Sequence, residues 1–371
     1  MKPGKISHIS QMAGLILGIM TLLLSCNTET ENQQIHGIKI YNISGDIDSL
    51  VSEWVDLGIN TAFVSVEIAS NNTFRNKAKE NSICVFIIEP ILFNPEMLKK
   101  DSSLYAITNK GNIAKSDWVE FVCPSNEAYR DFILKQLEKD VRTLKPDGIS
   151  LDFIRHFVYW EMVGPEQPAD CIEHGCFCNM CANNFSKETE IVFPDTFTDI
   201  AGRADYILNH YKDEWTVWKC GLITSFVEEI TTDLKSVDPD LKFNLHAVPW
   251  RSDDYAGGIK TIAGQDFAAL SQYVDFISPM CYAFMLYRDG PWVASVVENL
   301  DKQAPGKILP SIQVRQEYRT DQVSDRKFES YLQHALKAPS KGVIFWSWEH
   351  LEKEPGKKKI IKAYLTPDSH K

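Results

Sequence analysis

Residues 146–157 read PDGISLDFIRHF: an apolar run that ends in Asp152 and then presents Arg155 and His156. A strand that is apolar on both faces and charged only at its exit belongs in a parallel sheet covered on both sides, with a site at its carboxyl end. Seven further stretches share this β-rich character, near 37–42 (GIKIYN), 60–67 (NTAFVSVE), 82–89 (SICVFIIE), 241–248 (LKFNLHAV), 274–282 (VDFISPMCY), 307–314 (KILPSIQV) and 342–348 (GVIFWSW). With 147–153 they make eight. Helical patterns alternate with them at 46–57, 71–80, 126–144, 201–236, 264–272, 291–303, 323–338 and 356–364. The clearest, SNEAYRDFILKQLEKDVRTL, has Ser125 or Asn126 as its cap and an apolar stripe of Tyr129, Phe132, Ile133, Leu137 and Val141. Eight such units predict an α/β fold, a (β/α)8 TIM barrel over 37–366 in one domain. No Gly-rich phosphate loop follows a strand, which argues against a doubly wound sheet. Two connections are oversized, 90–124 after strand three and 154–200 after strand four, and both lie at the end of the barrel where sites are built.

The chain has 371 residues, 44% of them hydrophobic, enough for a large core. Its formal charge of -11 and lack of basic runs argue against nucleic acid as a partner. Lys2 and Lys5 precede the apolar run Met12–Leu24, which is too short to span a bilayer and ends in LLSC. The expectation is a lipoprotein signal peptide over 1–25, lipidation at Cys26, and a polar tether over 26–36. This places the protein in the cell envelope, held to the membrane by its N-terminal lipid only.

The strand exits present Tyr41, Glu67, Glu89, Asp152, Arg155, His156, His246, Trp250, Tyr282, Gln313, Arg315, Trp346, Trp348 and Glu349. Carboxylates among aromatics suit a sugar, whose C–H faces stack on rings while its hydroxyls bond to charged groups. Asp152 is the first catalytic candidate, with Glu349 or Glu89 as the second carboxylate that glycoside hydrolysis requires; Tyr41, Glu67, Arg155, His156, His246, Trp250, Tyr282, Gln313, Arg315, Trp346 and Trp348 are candidate substrate contacts. No cofactor is needed for that chemistry. The loop CIEHGCFCNMC gathers Cys171, Cys176, Cys178 and Cys181, a set that suits a structural zinc or two disulfides.

The segments FVCPSNEAYRDFILKQLEKDV, KPDGISLDFIRHF, CFCNMCANNF, VDFISPMCYA and GVIFWSWEHL together resemble the glycosidase-like barrel proteins related to glycoside hydrolase family 10, over roughly 37–351. The resemblance implies a barrel that binds or cleaves carbohydrate. Against the strand-four pattern D-G-x-D-x-D-x-E of family 18 chitinases, Asp147, Gly148 and Asp152 match, but Ser150 and Ile154 replace the middle Asp and the catalytic acid. The expected function is an exported glycoside hydrolase acting on an oligo- or polysaccharide. The alternative is a barrel that binds carbohydrate without cleaving it.

Overall fold

The computed structural model describes residues 34–366 except 195, 196 and 198. The signal peptide, Cys26 and the tether up to residue 33 lie outside the described residues. Eight parallel strands close into a barrel: β1 Ile35–Ile40, β2 Thr61–Val64, β3 Cys84–Pro90, β4 Gly148–Asp152, β5 Lys242–Ala247, β6 Phe276–Cys281, β7 Ser311–Gln313 and β8 Gly342–Trp346. Closure comes from β8 pairing with β1, Gly342 opposite Ile35. The sheet is the (β/α)8 barrel that the alternation predicts. Among the described residues no helix is long and apolar enough to cross a membrane.

Side-chain alternation splits each strand between the barrel axis and the helical coat. Towards the amino ends of the strands the axis is filled by Phe63, Phe86, Leu309 and Ile344, with Ile35 and Phe276 packed on them, and Ile88 carries this cluster up to the level of Ser150. Two glycines make room for these rings. A Cβ on Gly148 would lie 2.3 Å from Phe86 Cε1, and one on Gly37 would lie 2.7 Å from Phe63 Cε2. Above this plug the axis turns polar, with Lys39, Ser150, Asn244, His246 and Ser278 all buried. Ser278 Oγ donates to Asn244 Oδ1 at 2.6 Å, and Asn244 Nδ2 donates to Ser150 Oγ at 2.8 Å.

Helix Glu127–Leu144 starts at the Asn126 cap, whose Oδ1 accepts the Tyr129 amide at 2.9 Å, and ends at Lys145 in the left-handed region. It buries Tyr129, Ile133, Leu137 and Val141 against the sheet, but Phe132 is 41% exposed and does not belong to the stripe. The pattern predicted over 201–236 is two helices, Ile200–His210 and Lys212–Val237, broken at Tyr211.

The two long loops carry structure of their own. The β3 loop holds helix Pro95–Lys100 and a short hairpin of Lys115–Ser116 with Val119–Glu120; the β4 loop holds helix Asn179–Thr189. They are stitched to each other: Thr108 bridges Gly175, Phe177 N donates to Ile107 O at 2.7 Å, and Thr108 Oγ1 donates to Glu173 Oε1 at 2.6 Å.

Candidate active site

At the carboxyl ends of the strands lies a cleft of about 660 Å³. Its floor belongs to β1, β4 and β6. Asp152 is the last residue of β4; its Oδ1 accepts the Phe153 amide at 2.8 Å, and its Oδ2 lies 3.9 Å from His246 Nδ1. Lys39, the penultimate residue of β1, reaches up beside it. Burial pushes the Lys39 ammonium down to about 8, with the Asp152 charge opposing the fall. Lys39 Nζ donates to His246 Nδ1 at 2.9 Å and to Tyr282 Oη at 3.3 Å. An ammonium has donors only, so Nδ1 of His246 is an acceptor, and the ring proton sits on Nε2, which donates to Ser150 Oγ at 2.7 Å. Burial and the Lys39 charge hold that imidazole down at about 3, so it is neutral, and its approach to Asp152 is not an ion pair.

A second carboxylate enters from the β4 loop. Glu161, in the short turn Trp160–Met162, lines the cleft with a sealed Oε2 that has no hydrogen-bond partner. Burial pushes its carboxyl up to about 7; Arg155 opposes the rise and Asp152 adds to it. Arg155 Nη1 donates to Val158 O at 2.9 Å, and its guanidinium lies over the Phe121 ring at 4.8 Å.

Glu349 also lines the cleft, but its Oε1 is committed to the backbone amides of Tyr41 and Asn42, at 2.6 and 2.9 Å, and holds the turn after β1. The walls are aromatic. Tyr282 stacks on Trp346, with centroids 4.3 Å apart and planes at 16°. Opposite, Phe93 stacks on Phe153 at 4.7 Å, and Trp118 meets both rings edge-on. Trp118 Nε1 donates to Tyr318 Oη across the rim.

Of the residues expected at the site, the structure brings Asp152, Arg155, Tyr41, Tyr282, Trp346 and Glu349 to the cleft, with His246 directly beneath its floor. The others lie elsewhere. Glu89 points out of the barrel towards Asp140, and burial pushes its carboxyl up to about 8. Strand two ends at Val64, so Glu67 is an exposed residue of helix Val66–Ser70. His156 is buried under the loops, accepting the Cys176 amide at Nδ1 and donating from Nε2 to Lys219 O. Trp250 packs on Tyr255, and Trp348 packs on Trp54 in the helical coat. Gln313 spends its amide on Met285 N and Arg315 O, and Arg315 is not part of the cleft lining.

The residues that sequence reasoning missed are Lys39, Glu161, Phe93, Phe153, Trp118 and Tyr318. Lys39 left a signal, a cation inside the apolar run GIKI; the rest sit in loops without period. The cysteines regroup as well. Cys171 is exposed and apart, while Cys123, from the β3 loop, joins Cys176, Cys178 and Cys181.

No protein-family model and no curated protein sequence matches the chain. Solved structures do. The glycoside hydrolase domain of PgaB (BpsB) from Bordetella bronchiseptica superposes with a TM-score of 0.68 at 11% identity, covering 91% of this chain and all of that one. The beta-galactosidase from Rahnella sp. R3 gives 0.66 at 14% identity, over 91% of this chain and 56% of its own. The alpha-L-fucosidase isoenzyme 2 from Paenibacillus thiaminolyticus gives 0.55 at 11%, over 90% and 49%. The chain thus spans about half the length of the last two. At such identities the likeness is one of fold: the chain has a (β/α)8 barrel of the kind these glycosidases are built on.

Proposed function

We propose that the chain is a glycoside hydrolase acting on an oligo- or polysaccharide, with Asp152 as nucleophile or base and Glu161 as general acid. One observation carries the reading: two carboxylates in unlike surroundings face one aromatic-walled cleft. Asp152 has a buried ammonium beside it, whereas the desolvated Glu161 carboxyl is raised to about 7 and can keep a proton near neutrality. Separated environments of this kind assign the acid and base roles in glycosidases. Stacked pairs on facing walls, Tyr282 with Trp346 and Phe93 with Phe153, offer the flat surfaces that sugar rings take. The position of the chitinase acid is Ile154, fully buried in the core. Glu161 supplies a proton donor from a different element, which favours cleavage over binding alone.

The relationship to family 10 and the export of the protein as a lipid-anchored envelope hydrolase belong to this proposal. They rest on the sequence: the motif series for the first, and the LLSC segment ending at Cys26 for the second.

The test is a panel of bacterial and host glycans incubated with the purified chain, Asp152→Asn and Glu161→Gln, read as new reducing ends. The wild type should release product on at least one glycan, with each variant slower by roughly 10²-fold or more. Glycan binding by all three proteins with no product from any would overturn the hydrolase reading, and unimpaired turnover by Glu161→Gln would remove it as the acid.

A further inference from the structure

Away from the cleft floor, four sulfur atoms from two different loops converge. The Sγ atoms of Cys123, Cys176, Cys178 and Cys181 all lie within 4.8 Å of one another. Cys123 Sγ is 3.5 Å from Cys178, 3.6 Å from Cys181 and 3.7 Å from Cys176. A disulfide needs about 2.0 Å and one partner per sulfur. Four thiolates at about 2.3 Å from a central ion stand about 3.8 Å apart at the corners of a tetrahedron, close to what is seen.

The surroundings suit thiolates. Ile107 N donates to Cys176 Sγ at 3.3 Å, Cys178 N donates to the same sulfur at 3.5 Å, and Cys181 N donates to Cys178 Sγ at 3.4 Å. Ser125 Oγ lies 3.2 Å from Cys181 Sγ. Cys178 is the N-cap of helix Asn179–Thr189, where the first amides favour negative charge. Amide donors aimed at sulfur are the outer layer that orients metal-bound cysteines.

We propose that Cys123, Cys176, Cys178 and Cys181 bind one zinc ion in a closed tetrathiolate site, releasing the thiol protons as it enters. Four sulfur ligands leave no open coordination position, so the ion is structural. Its place in the chain gives it a specific task. It clamps the β3 loop, which carries Phe93 and Trp118, to the β4 loop, which carries Glu161, and so fixes two walls of the cleft against each other. The site stands whether or not the cleft hydrolyses glycans.

The experiment is metal analysis of the purified full chain beside Cys123→Ser and Cys171→Ser, with intact mass under non-reducing conditions. About one zinc per chain is expected in the wild type and in Cys171→Ser, with a several-fold loss in Cys123→Ser. Cobalt exchanged into the wild type should show thiolate-to-metal charge transfer and the intense visible bands of a tetrahedral centre, a readout that needs no variant to fold and no substrate. A wild type without metal whose mass shows disulfides among these four residues would overturn the site. Iron in place of zinc would overturn the choice of ion, and full zinc in Cys123→Ser would overturn the ligand set.

Discussion

Glu161 and Glu89 are both carboxyls raised by burial, yet only Glu161 faces the cleft. In each the folded value lies above the unfolded one, so the folded chain keeps a proton that the unfolded chain gives up. The associated stability is whole below the ordinary carboxyl range. It is lost as pH climbs towards about 7 for Glu161 and about 8 for Glu89. Glu161→Gln and Glu89→Gln should therefore each gain on the order of 1–3 kcal/mol on the wild type at pH 8 compared with pH 4, measured by urea unfolding. Activity separates them: Glu161→Gln stops turnover and Glu89→Gln leaves it intact, and a dead Glu89→Gln would show that the outward carboxyl has been misjudged. Lys39 acts through its neighbours. Lys39→Met, of similar length, removes the cation beside Asp152 and the donor to His246 Nδ1. The expected result is a kcat at least tenfold lower with little change in KM. An unchanged kcat would make Lys39 a packing residue. Asp152 was legible because a strand end has a fixed address in a barrel. Glu161 was not, because a turn in a long loop acquires its surroundings only from the fold around it.

At the scale of elements, all eight strands could be read in advance, since apolar runs bounded by turns have few other uses in an alternating chain. The helices were readable in place but less so in detail. Phe132 satisfies the apolar spacing of helix Glu127–Leu144 yet faces solvent, because the sheet covers only the side bearing Ile133 and Leu137. Phe132→Ser should accordingly shift stability by no more than about 0.5 kcal/mol, while Leu137→Ala costs about 2–5 kcal/mol and Asn126→Ala, which loses the cap, about 1 kcal/mol. Chemical denaturation of the three variants checks that order. The loops were the least legible elements. Their length announced a functional role, but the aromatic wall they build depends on Phe93, Trp118 and Phe153 meeting across sequence, which no local pattern records.

For the whole molecule, closure is the decisive event, and the glycines at the axis make it feasible. Gly148→Ala places a methyl against Phe86 Cε1 and 2.7 Å from the Lys242 carbonyl, which belongs to backbone and cannot swing aside. That substitution should cost about 1–3 kcal/mol or more and show as reduced soluble yield and a lowered melting temperature; a neutral outcome would mean that the strands can spread without loss. The same crowding governs how the barrel is used. Because Phe63, Phe86, Leu309 and Ile344 stopper one end of the axis, nothing passes through from top to bottom. Whatever enters at the rim must leave by the rim, so departing and arriving molecules share one doorway.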